Sequence, residues 1–77
     1  MENSHILIGL AVSSLRKNRE ISIEVLSHEI NMEKKHLWMI EKGKTNITIN
    51  TLIKICNFFE ISLLEFFKYA DSFTQAS

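Results

Sequence analysis

The sequence predicts an all-α fold of five short helices in a single domain. Three observations predict it. Proline is absent and glycine occurs only at Gly9 and Gly43, so little interrupts a helix and short polar turns must join the elements. Apolar residues recur three and four apart, the spacing of one helical face. Hydroxyl side chains suited to capping a helix start stand ahead of those runs at Ser22, Thr48 and Ser62.

Ile8, Val12 and Leu15 mark the inner face of a first helix that runs from about His5 to Asn18. Ser22 caps a second, with Val25, Leu26 and Ile30 as its buried stripe. Asn31 stops it, because asparagine tolerates the left-handed backbone of a tight turn. A third helix turns Leu37 and Ile40 inward and ends at Gly43, with Lys42 and Lys44 near the negative end of its dipole. Thr45, Asn46 and Thr48 form a polar link into a fourth helix that buries Leu52, Ile55 and Phe59. Ser62 and Glu65 fit the S-x-x-E capping box that opens the fifth. Periodicity ends at Asp71, so residues 71–77 are expected to fray from a core of residues 5–70.

Composition narrows the function. A chain of 77 residues with 45% hydrophobic and 23% charged side chains is one domain and apolar enough to fold. So short a chain hides only about 60% of its unfolded surface and is marginal alone. The single cysteine, Cys56, excludes an internal disulfide and is expected in the core. With no charged leader before an apolar run, and no stretch near the ~20 apolar residues of a membrane span, a cytoplasmic protein is expected. His5, His28 and His36 lack compact ligand spacing, so no metal site is expected. Asn46-Ile47-Thr48 fits the N-glycosylation pattern by chance. No paired carboxylates, serine–histidine arrangement or glycine-rich phosphate loop can be assembled. Neither an enzyme nor a cofactor or small-molecule ligand is expected.

Charge is balanced in total and uneven along the chain. Nine basic residues offset nine acidic ones, which argues against a protein that coats nucleic acid generally. Yet Lys34, Lys35, Lys42 and Lys44 face only Glu41 within residues 34–44, whereas Lys68 stands alone against Glu60, Glu65 and Asp71 after Cys56. The basic segment coincides with the third helix. Helices two and three are joined only by residues around Asn31-Met32-Glu33, so they must cross steeply, as in a helix-turn-helix. Leu37 and Ile40 take the inner face; Lys34, Lys35, Trp38 and Met39 fall on the outer one. A protruding helix that starts with lysines can enter a DNA major groove.

Particular residues sharpen this. Leu15-Arg16, Ile21-Ser22, Leu26-Ser27, the run Leu37-Trp38-Met39-Ile40-Glu41-Lys42-Gly43-Lys44, Thr51-Leu52 and Ile61-Ser62-Leu63 together resemble the lambda-repressor-like (Cro/repressor, XRE-type) helix-turn-helix family. Short stand-alone regulators, such as the controller proteins of restriction–modification systems, are the most similar kind. The resemblance spans Ile8 to Phe67. It implies a compact five-helix DNA-binding domain, bacterial or phage-encoded, with the helix-turn-helix at helices two and three. The implied recognition helix is Glu33 to Glu41, with Lys34 at a base-reading position and Lys35 reading a base or phosphate. His36 and Met39 would be secondary contacts, and methionine suits a thymine methyl. Trp38 would stack on DNA or pack on a partner. Lys42, Lys44, Thr45, Asn46 and Thr48 would hold the phosphate backbone, setting register rather than sequence. Arg16 and Glu41 match an internal ion pair of the family. Three positions depart from its pattern: Ile23 replaces a phosphate-gripping glutamine, Glu33 a hydroxyl cap, and Trp38 a small polar residue.

The last third carries more apolar side chains than a small domain needs. Phe58, Leu63, Leu64 and Phe67 are the candidates for a homodimer interface, matching the region by which the resembled family dimerises. The expected function is sequence-specific binding of double-stranded DNA by a homodimeric transcription regulator on a palindromic operator. An antitoxin-type regulator, or a protein–protein interaction module of the same fold that has lost DNA binding, are the alternatives.

Overall fold

The computed structural model describes residues 3–75, with side chains through Thr74. Five α-helices follow one another: α1 (Ser4–Asn18), α2 (Ile23–Glu29), α3 (Lys34–Glu41), α4 (Ile49–Phe59) and α5 (Leu63–Ser72). A 3₁₀ turn over Phe73–Gln75 closes the described chain, which contains no strand. α1 is the central element, packed on both α3 and α5, while α2 packs on α3 and the 3₁₀ turn folds back over α1 and α5. Ala11 and Val12 of α1 meet Leu26, Leu37, Leu52, Ile55, Phe59 and Phe66 in one buried cluster that also takes in Cys56. Burial pushes the Cys56 thiol pKa up, so it stays protonated.

The connections repeat one device. Glu20, Asn31, Gly43 and Glu60 all have left-handed backbone, with φ between 56° and 69°. Each follows a helix whose last carbonyls are closed by a pair of backbone bonds: Asn31 N donates to His28 O and Met32 N to Ser27 O, and Glu60 and Ile61 repeat the pattern onto Asn57 and Cys56. After the left-handed residue comes an apolar one, Ile21, Met32 or Ile61, packed against the core. Next comes the cap of the following helix, Ser22, Glu33 or Ser62. The link after Gly43 is longer but ends alike, in Ile47-Thr48. The fourth residue of each helix that follows, Leu26, Leu37, Leu52 or Phe66, is at most 1% exposed. That is the spacing of a hydrophobic staple, which fixes the angle at which the chain enters the helix.

One expectation about the buried stripes needs correction. Val25 is exposed; α2 instead buries Leu26 and Ser27, and Ile30, which caps its end, is buried beside them. Val25 lies one residue, about 100° of helical rotation, from Leu26, so it cannot share a face whose axis is set by Leu26 and Ile30. Where periodicity ends, helical backbone continues: Asp71 and Ser72 complete α5, and the 3₁₀ turn runs on to Gln75. Phe73 is the reason: it packs against the core and sits edge-on to Tyr69 at 5.3 Å. Residues 76–77 of the expected frayed tail lie outside the described residues.

Two contacts hold α1 in place. Gly9 lies so close to α3 that a Cβ there would overlap the Ile40 carbonyl oxygen and come 2.9 Å from that of Glu41. At its far end, Arg19 donates to the Phe59 carbonyl at 3.2 Å and lays its guanidinium 5.4 Å from the Phe59 ring centre. α1 is thereby tied to the ends of both α3 and α4.

Candidate nucleic-acid interface

The orientation of α3 is fixed from inside. Leu37, Ile40 and Glu41 are buried, so the helix has a committed inner face. Buried Glu41 would be costly if unpaired. Arg16 answers it with two parallel bonds, Nε to Oε2 at 2.8 Å and Nη2 to Oε1 at 3.0 Å, and spends Nη1 on the Ile21 carbonyl at 2.9 Å. The bond to Glu41 pushes the Arg16 pKa further up, so the cation is permanent. One side chain on α1 therefore clamps the C-terminal end of α3 and the turn into α2. Gly43, with φ of 69°, then reverses the chain: its N–H and that of Lys44 close onto Ile40 O and Met39 O.

With that face fixed, Lys34, Lys35, His36 and Trp38 project outward, and 42% of Trp38 is exposed. Met39, placed by the sequence on the outer face, is half-buried. It stands one residue before Ile40, on the flank between the two faces. Glu33 caps α3 through its backbone alone, with no side-chain hydrogen bond to the helix start. Lys42, Lys44 and Asn46 are exposed, and Thr45 is half-buried. Thr48 is exposed but committed: its hydroxyl accepts from Thr51 N at 3.2 Å and donates to Thr51 Oγ1 at 3.0 Å, so it serves α4. Among the described residues, Lys35, Lys42 and Lys44 form no ion pair. Lys34 does, at 3.6 Å from Glu24 on the first turn of α2. Sequence reasoning missed Glu24 because the pair spans two helices, outside any single-helix spacing rule.

The apolar candidates of the last third separate into two places. Leu64 and Phe67 are exposed and form one wall of a groove of about 440 Å³ whose other wall is Leu7 and Ile8 of α1. Leu63 is also exposed. Phe58 is half-buried, edge-on to Phe59 at 5.0 Å, and lines a different cleft with Glu29 and Lys54. No cluster of three or more metal-ligating side chains exists among the described residues, and no described helix is long and apolar enough to cross a membrane.

A family model described as helix-turn-helix matches residues 12–66. Among solved structures, the fold is similar to the clp gene regulator ClgR from Corynebacterium glutamicum, with a TM-score of 0.84 and 17% identity over 90% of this chain and 73% of that one. It is similar to the restriction-modification controller protein C.Esp1396I, a tetramer in complex with its natural 35 base-pair operator, with a TM-score of 0.80 and 22% identity over 90% and 91% of the two chains. The controller protein C.AhdI from Aeromonas hydrophila gives a TM-score of 0.75 and 19% identity over 80% and 94%. At these identities the likeness is one of fold. No curated protein matches the sequence.

Proposed function

Because the chain belongs to the helix-turn-helix family, of the Cro/repressor (XRE) type, we propose that it is a sequence-specific DNA-binding transcription regulator that works as a homodimer on a palindromic operator. The observation that carries this reading is the split of α3 into a clamped inner face and an open outer one that bears Lys34, Lys35 and Trp38. A major groove about 12 Å wide admits one helix with its side chains. Lys34 and Lys35 enter it first and donate to guanine O6/N7 or phosphate, while His36 and Met39 make secondary contacts. Lys42, Lys44, Thr45 and Asn46 hold the flanking backbone. Thr48, its hydroxyl taken by Thr51, stands at the end of the link after Gly43 as the cap of α4.

A single domain of 31 × 24 × 23 Å reaches only one half-site. Pairing through Leu64 and Phe67, with Leu63 at the edge, covers the most exposed apolar surface of α5 and presents two recognition helices about 34 Å apart, one helical turn of DNA. Phe58 lines a different cleft and is not among the residues of the Leu64–Phe67 groove. The neighbour seen on operator DNA supports the reading by likeness of fold.

Gel retardation tests it. The parent chain is expected to retard duplex DNA with a steep loss on adding salt, and Lys34→Ala with Lys35→Ala to abolish the shift. An unchanged shift in the double variant, or none from the parent at low salt, contradicts the proposal. The exposed indole of Trp38 favours one second reading, a protein-binding module, and the latter outcome would select it.

A further inference from the structure

Of the four lysines around α3, the one at the front of the helix is the one held by a carboxylate. Lys34 Nζ lies 3.6 Å from Glu24 Oε1, and both side chains are largely open to solvent. The separation exceeds hydrogen-bond length, so the contact is a pairing of charge. That distinction has a consequence at a DNA surface. Two properties of an ammonium act there: its charge draws in any phosphate, whatever the sequence, and its N–H donors read base edges at contact distance. Glu24 offsets part of the first, the modest share that an exposed charge pair carries, and leaves the second intact, since no donor of Lys34 is held in a short bond to it. Lysine is a flexible point charge on a long stem, well suited to being caught by a stray phosphate, so such a guard matters most for this residue type.

We infer that Glu24 is a specificity-setting residue of the interface, which keeps Lys34 from settling on phosphate and reserves it for a base edge. The inference rests on the DNA-binding reading and goes beyond it, because that reading gives Glu24 no part. Its position fits the role: on the first turn of α2 it faces α3 across the turn, and the fold clamps both helices.

The test compares Glu24→Gln, nearly isosteric, with the parent on two probes: a duplex enriched by the parent from random DNA, and a scrambled duplex of the same base composition. The variant is expected to bind the scrambled duplex about two- to five-fold tighter, the range of one exposed charge pair, and the enriched duplex tighter by less. Their ratio therefore falls. The salt slope on the scrambled duplex steepens by about 0.9, one further phosphate engaged. In a Lys34→Met background the same change leaves the slope where it was. An unchanged or improved ratio with an unchanged slope overturns the role of Glu24 alone. A parent that enriches no duplex overturns the DNA-binding reading, and this inference with it.

Discussion

Arg16 shows how much one side chain can govern. It neutralises a buried carboxylate, holds a turn carbonyl and sets the end of α3, so its loss acts on the interface from a distance. Arg16→Ala is expected to cost about 3–5 kcal/mol, read as a lower melting temperature, because Glu41 is left buried without its counter-charge. A melting curve that matches the parent would remove the clamp from the account. The left-handed residues behave differently. Glu20 and Glu60 carry a Cβ where glycine is the easier choice, so Glu20→Gly or Glu60→Gly is expected to change stability little or raise it by about 0.5–1 kcal/mol in denaturant titration. Neither glutamate was readable in advance as a helix stop, since nothing local marks it as left-handed. Asn31 and Gly43, by contrast, announce themselves by residue type.

At the level of helices, starts were more legible than contacts between them. Ser22, Thr48 and Ser62 each cap through a hydroxyl, as their side-chain chemistry dictates, and the Ser62–Glu65 box closes in both directions, at 3.0 and 2.8 Å. The hydrogen bond from the Ser62 backbone N–H, then that from its hydroxyl, holds the Glu65 carboxyl below the usual carboxylate range. A carboxyl lowered on folding stabilises in full above its unfolded value, about 4.3, and that contribution is lost as pH falls through the lower folded value. The difference in melting temperature between parent and Glu65→Gln is therefore expected at neutral pH and to vanish in acid. A difference that persists in acid would assign it to something other than charge. Gly9 is the counterexample. Its need for a bare backbone comes from the Ile40 and Glu41 carbonyls some thirty residues away, which no window along α1 reveals. Gly9→Ala is expected to push α1 off α3 at a cost of about 1–3 kcal/mol despite the better helix propensity of alanine. Phe73 likewise extends α5 through a contact with Tyr69 that periodicity cannot show.

For the whole molecule, a five-helix fold and the outward side of α3 follow from apolar spacing and turn chemistry, both local in sequence. What spacing could not supply was the arrangement of surfaces: Leu64 and Phe67 share a groove with α1 whereas Phe58 lies elsewhere, and Lys34 finds Glu24 on another helix. The proposed self-association through α5 would respond to its exposed side chains, so in sedimentation equilibrium the parent is expected to sediment as a dimer and Leu64→Glu with Phe67→Glu as a folded monomer. A parent that is monomeric at high micromolar concentration would exclude that interface.

The most direct test of the central claim is a backbone amide NMR titration with duplex DNA. Shifts concentrated in the front of α3 and in the link from Lys42 to Thr48, with the α1–α5 groove unaffected, are the expected result. Shifts confined to that groove, or none at low salt, would contradict an outward-facing α3 as the DNA-reading element.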